Sequence, residues 1–152
     1  MPLDGEAGAA AHFRALESLY RHAPINRLFD SDIEVGDGFA RISFLVDETV
    51  FHAGGAAHGT IYFKMMDDAA FYACNSLVTD RFLLTTAFNL NFTRPLKGGR
   101  ITAEGRWESG RRRVFVADAR LIDSTGEVAG RGTGTFMRSH IPLSGLPGYR
   151  GP

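Results

Sequence analysis

Two adjacent carboxylates, Asp67 and Asp68, lie in the middle of one of the most apolar stretches of this 152-residue chain. Ile61, Tyr62, Phe63, Met65, Met66, Ala69, Ala70 and Phe71 surround them and cover most of the circumference of a helix, a pattern that predicts an enclosed element. Desolvation disfavours an ionised carboxyl in such surroundings, so its pKa can rise towards the working pH and suit it to general-base or nucleophilic chemistry. Neighbouring helical residues point ~100° apart, so the two aspartates cannot address one substrate together. Lys64, at i,i+3 and i,i+4, can pair with either, and the residues by themselves leave open which one is free. At the start of the same helix, the first-turn amides of Gly59 and Thr60 are unpaired and sit at the positive end of the dipole, where a developing oxyanion would be held.

One chain cannot easily bring these two sets of groups to one substrate. Gly59 and Asp67 are separated by ~12 Å of helical rise, whereas a reacting carbonyl must lie ~3 Å from its donors and about as close to the base or its water. If both act, each site combines the helix start of one subunit with the mid-helix of another, which predicts an obligatory dimer with two equivalent sites.

The elements that must position them are legible in outline. Residues 1–8 are small and polar and read as disordered, and an amphipathic helix is expected over 9–22, where Phe13, Leu16, Leu19 and Tyr20 recur until Pro24. Residues 32–35 and 39–46 flank a Gly36-Asp37-Gly38 turn and read as a β-hairpin. Residues 47–57 form a loop into the central helix, which runs to Val78. Four β-rich runs follow, at 82–92, 101–107, 114–122 and 128–137, separated by short Gly-containing turns, and predict an antiparallel meander. The expected class is α+β: about six antiparallel strands curled around one long helix, a single domain over 9–138, then a flexible tail over 139–152 rich in Pro and Gly.

Composition narrows the function classes. Lys plus Arg and Asp plus Glu number 17 each, so no global field recruits nucleic acid or an anionic membrane. Cys74 is the only cysteine, and there is no apolar run long enough to span a bilayer; the expectation is a cytoplasmic protein. No pair of histidines or cysteines has ligand spacing, so neither a metal nor another cofactor is expected.

A helix gripped by an antiparallel sheet is the hotdog fold, and the order helix, hairpin, long helix, four strands is also its order. His58-Gly59 followed by Asp67, then Asn89-Leu90-Asn91-Phe92-Thr93-Arg94-Pro95 and Asp123-Ser124-Thr125-Gly126-Glu127-Val128-Ala129, resembles the hotdog acyl-CoA thioesterases of the phenylacetyl-CoA thioesterase type, over about residues 30 to 138. That family shows His-Gly-Gly, an acidic residue nine positions after the histidine and a Leu-Arg-Pro-like strand end. Here Thr60 replaces the second glycine, which alters the oxyanion pocket.

The resemblance implies an acyl-CoA substrate and catalysis by Gly59, Asp67, Thr85 and His52. It singles out Asp67 over Asp68 by its spacing from His58. Thr85, with Thr86 as its neighbour and competitor, falls where relatives carry a hydroxyl near the reaction centre. His52 stands where relatives tend to carry Asn or Gln, and could donate a hydrogen bond or titrate near neutrality. His58 is implied to cap the helix beside the substrate. Thr60 and Phe63 would line the site, with Phe51, Met66 and Phe71 along the acyl slot. Arg94, Arg111 and Arg112, together with Lys97, Arg100 and Arg113, are the candidates for the phosphates of coenzyme A. A homodimer or a dimer-of-dimers tetramer is implied. The competing readings are a hotdog hydratase or dehydratase and a non-catalytic acyl-CoA-binding module.

Overall fold

A computed structural model describes residues 5–150. The order is α1 (Gly5–His22), β1 (Ser31–Gly36), β2 (Phe39–Val46), α2 (Gly59–Asn75), β3 (Arg81–Phe92), β4 (Gly99–Ser109), β5 (Val114–Ile122) and β6 (Val128–Pro142). All six strands form one antiparallel sheet in the order β1-β2-β4-β5-β6-β3, and α2 packs against it. This is the hotdog arrangement, of class α+β, that the sequence predicts.

Why α2 sits so close to the sheet follows from its small residues. Ala69, Ala70 and Ala73 are fully buried, and opposite them β4 carries Gly105. A Cβ at Gly105 would lie 2.3 Å from the carbonyl carbon and oxygen of Ala69. The obstacle is helix backbone, so no side chain can step aside. Gly105→Ala should therefore cost on the order of 3 kcal/mol, read as a drop of about 6–12 °C in the thermal midpoint for a domain of this size. An unchanged midpoint would show that the helix can lift off the sheet freely.

The helix is less enclosed than its composition suggests. Thr60, Phe63, Lys64, Asp67 and Asp68 form one stripe at i,i+3 and i,i+4 spacing that the sheet leaves partly or fully open. Both aspartates lie on that stripe, which is how an apolar helix carries them.

Three expectations need correction. The strands after α2 are not a simple meander: β4, β5 and β6 are, but β3 pairs with β6 at the far edge. The link over 93–98, anchored by buried Leu96, carries the chain from that edge back across to β2. Residues 5–8, expected to be disordered, are helical, consistent with the alanine-rich start and Glu6 in the first turn of α1; the rest of that expectation, residues 1–4, lies outside the described residues. The segment after 138 is not a loose tail either. It continues β6 as far as Pro142, Leu143 is fully buried, and the Tyr149 hydroxyl and the His12 ring are 2.7 Å apart. Pro and Gly content hid these anchors.

The two sheet edges differ. On β1, the carboxylate of Glu17 accepts from the Val35 N–H at 2.8 Å and Arg14 donates to the Val35 carbonyl at 2.9 Å, so α1 side chains pair the outer backbone groups there. The β3 edge has a strand on one side only and exposes Leu84 (47%) and Phe92 (57%).

Candidate active site

The start of α2 is capped by His58, whose Nδ1 accepts from the Thr60 N–H at 3.1 Å and lies 3.0 Å from the Thr60 hydroxyl. That occupies the Thr60 amide, so of the two first-turn amides expected to face an oxyanion only the Gly59 N–H has no acceptor among the described residues. A Cβ at Gly59 would lie 3.1 Å from the Phe92 ring; glycine here keeps the amide approachable. Around it opens a cleft of about 490 Å³, lined by His52, Tyr62, Phe92, Thr93, Arg94 and Pro95. His52 Nδ1 accepts from the Gly54 N–H at 2.9 Å, which leaves the neutral ring its proton on Nε2. Tyr62 donates to the Arg94 carbonyl at 2.6 Å, and the Arg94 guanidinium lies 3.8 Å from Asp123 and 3.7 Å from Glu127.

Two turns further along α2, the aspartates separate in role. Lys64 donates to Asp68 at 2.6 Å, an i,i+4 ion pair, and sits over the rings of Tyr20 and Phe29. Burial nonetheless pushes the Asp68 carboxyl up, against the pull of Lys64. Asp67 has no ion-pair partner among the described residues. Among the described residues its one hydrogen bond comes from the Thr85 hydroxyl at 2.9 Å, and burial raises its pKa to about 6, with Thr85 pulling down, Asp68 pushing up and the nearby Lys64 charge pulling down. Thr86 points elsewhere, donating to the Thr135 carbonyl at 3.1 Å. A register shift between Thr85 and Ala87 interrupts the β3–β6 ladder beside this pair. Asp67 and Thr85 line a second, smaller cleft of about 240 Å³ whose walls include Phe71, Phe82, Leu84 and Tyr20.

Within one chain, then, His52, Gly59 and Arg94 come together in one cleft and Asp67 with Thr85 in another. Phe63, 42% exposed, stands between them on the open stripe of α2 with its ring edge-on to Phe88 at 5.7 Å. Arg111 stacks on Trp107 at 4.3 Å in the β4–β5 turn, and neither it nor Arg112 lines either cleft. Of the expected acyl-slot residues, Phe71 lines the Asp67 cleft, whereas Met66 is fully buried in the core and Phe51 lines neither. Sequence reasoning missed Tyr62 and Phe92 beside Gly59, and Tyr20 and Asn26 beside Asp67. Tyr62 read as one of the helix's apolar residues, and Phe92 only as part of the strand-end motif. Tyr20 and Asn26 belong to a segment about 40 residues away, and nothing local ties it to the helix.

Among the described residues no helix is long and apolar enough to cross a membrane. Comparison with known proteins gives a consistent lineage. The thioesterase superfamily profile matches residues 54–129, half of the chain, a stretch that includes Gly59, Asp67, Thr85, Arg94, Arg111 and Arg112 and stops short of His52. A Saccharolobus solfataricus protein named provisionally as an esterase is 30% identical over 100 residues, 66% of this chain and 67% of that one. In three dimensions the chain is similar to the E. coli PaaI protein from the phenylacetic acid degradation operon, with a TM-score of 0.80 at 21% identity, covering 91% of this chain and 99% of that one. It is similar also to a thioesterase of Haemophilus influenzae, with a TM-score of 0.73 at 14% identity over 80% and 87% of the two chains. The matched profile spans the free amide, the raised carboxyl and the helix that carries both, and on that ground this chain belongs to the thioesterase superfamily and is a thioester hydrolase.

Proposed function

We propose that the protein hydrolyses acyl-CoA thioesters at two equivalent sites of a homodimer, each joining the Gly59 N–H of one subunit to Asp67 of the partner subunit. The observation that carries this reading is the pair of clefts: an unpaired amide and an uncompensated carboxyl, ~12 Å apart on one helix, each half of a hydrolytic site.

The sheet edges support the pairing. α1 side chains pair backbone groups on the β1 edge, whereas the β3 edge has no strand beyond it and exposes Leu84 and Phe92. Two copies joined by a twofold axis along β3 run that strand antiparallel to itself. The Phe92 end, with Gly59, then meets the Thr85 end, with Asp67, of the other copy. In this arrangement Arg94 lines the amide half of the site, and the Arg111-Arg112 turn, which lines neither cleft of its own chain, is the second candidate for the phosphates of coenzyme A. A dimer of such dimers would leave both sites unchanged.

In the reaction the thioester oxygen accepts from Gly59 N–H and from His52 Nε2–H, which polarises the carbonyl. The Asp67 carboxylate, steadied by Thr85, takes a proton from the water that attacks the carbonyl carbon. The tetrahedral intermediate collapses with cleavage of the C–S bond, and the coenzyme A sulfur receives the proton from Asp67. Direct attack by the carboxylate would instead form an anhydride at the same position with loss of the coenzyme A thiolate, and water attack on the Asp67 carbonyl of that anhydride would leave one Asp67 oxygen in the acid product after a single turnover in labelled water. The substrate and the single reduced thiol suit the cytoplasm. The reading is tested by incubating purified protein with acyl-CoAs from butanoyl to palmitoyl and phenylacetyl and titrating released thiol. Thiol release from at least one class is expected; none from any would overturn it.

A further inference from the structure

The segment between α1 and β1 forms part of the Asp67 cleft. Ala23, Ile25 and Asn26 line it, yet the 3-10 turn Pro24–Leu28 buries no residue of its own, and Ile25 is 54% exposed. Its two ends are fixed: Tyr20 is buried, and the Phe29 ring packs edge-on against Phe44 at 5.7 Å. Between those ends, among the described residues, one side chain of the turn makes hydrogen bonds to the rest of the molecule. Asn26 Nδ2 donates to the Tyr20 carbonyl at 2.7 Å, and its Oδ1 accepts from Lys64 Nζ at 2.6 Å. The partners dictate the orientation of the amide, since a cation needs an acceptor and a carbonyl needs a donor. Lys64 is itself clamped by Asp68 at 2.6 Å and lies over the rings of Tyr20 and Phe29, so Asn26 is tied to a nearly immobile cation by a charge-assisted bond.

We propose that Asn26 is a specificity-determining positioning residue: it latches the 24–28 turn as the outer wall of the Asp67 cleft and so sets the length of the acyl group admitted there. The proposal rests on the hydrolase reading only in that the acyl group enters this cleft. A cavity of ~150 Å³ accepts a benzene ring, so about 240 Å³ has room for a short acyl group, and a longer one has to pass the 24–28 wall. A strap fixed at both ends and held in the middle by one amide can swing out without disturbing the core.

The test measures dissociation constants of S-butyl-CoA and S-dodecyl-CoA thioethers, which bind without turnover, alongside kcat/KM for butanoyl-CoA and dodecanoyl-CoA. Asn26→Ala should move the dodecyl-to-butyl affinity ratio at least about tenfold towards dodecyl. Ala23→Leu, which adds bulk to the wall and leaves the latch intact, should move it about tenfold the other way. If both variants, folded by circular dichroism, keep the parent's ratio, the latch is wrong even where thiol is released. If the ratio shifts but no acyl-CoA is cleaved, the hydrolase reading fails and the latch stands.

Discussion

Asp67→Asn should lower kcat/KM for the best acyl-CoA by about 10³-fold, the range expected when a general base is removed. The substitution keeps size and shape and can still accept from Thr85, so lost chemistry rather than lost packing is what the rate reports. In the parent, kcat/KM should climb as pH rises through about 6, where Asp67 loses its proton, and then level off. The same change should make the protein more stable at neutral pH. Burial raises the folded-state pKa to about 6 from the ordinary 3.8, so between those values the folded chain binds more protons than the unfolded chain and stability falls as pH rises. Above pH 6 the ionised carboxyl carries its full desolvation penalty; below 3.8 it is protonated in both states and the penalty vanishes. Denaturant titrations should show Asp67→Asn ahead of the parent by on the order of 2 kcal/mol at pH 7.5, with the gap closing towards pH 3.5. A variant that loses activity and loses stability at pH 7.5 would mark Asp67 as a structural anchor instead.

Mixing two inactive variants should restore activity. Gly59→Ala sets a methyl 3.1 Å from the Phe92 ring, at the mouth of the amide, and should reduce the rate by about 10²-fold, comparable to losing one oxyanion donor. When this protein and Asp67→Asn are unfolded together and refolded at equal amounts, about half of the dimers are mixed. In a mixed dimer one site inherits both defects and the other inherits neither, so about a quarter of parental activity should return. Recovery no greater than the average of the two variants would falsify the shared site and require Gly59 and Asp67 to act within one chain.

How much of this could be read from the chain depends on the range of the interactions involved. The α+β class, the central helix and its approximate ends, the hairpin at 36–38 and the two groups of chemical interest were legible, because hydrophobic period, turn residues and helix capping are local properties. So was the ~12 Å separation on which the proposed shared site rests, since it depends only on helix geometry. Several things were decided by residues far apart in sequence. Lys64 takes Asp68 rather than Asp67 because Asn26 and the Tyr20 and Phe29 rings hold its ammonium on that side. Thr85 rather than Thr86 reaches Asp67 because of the register shift in β3, which depends on its pairing with β6. The tail past residue 138 finds its anchors in Asp80, Phe82 and His12, three points that composition cannot reveal. The chain's own periodicity thus supplied the helix, the amide at its start and the carboxylates at its middle, and tertiary packing chose which carboxyl Lys64 pairs with and which edge of the sheet α1 covers.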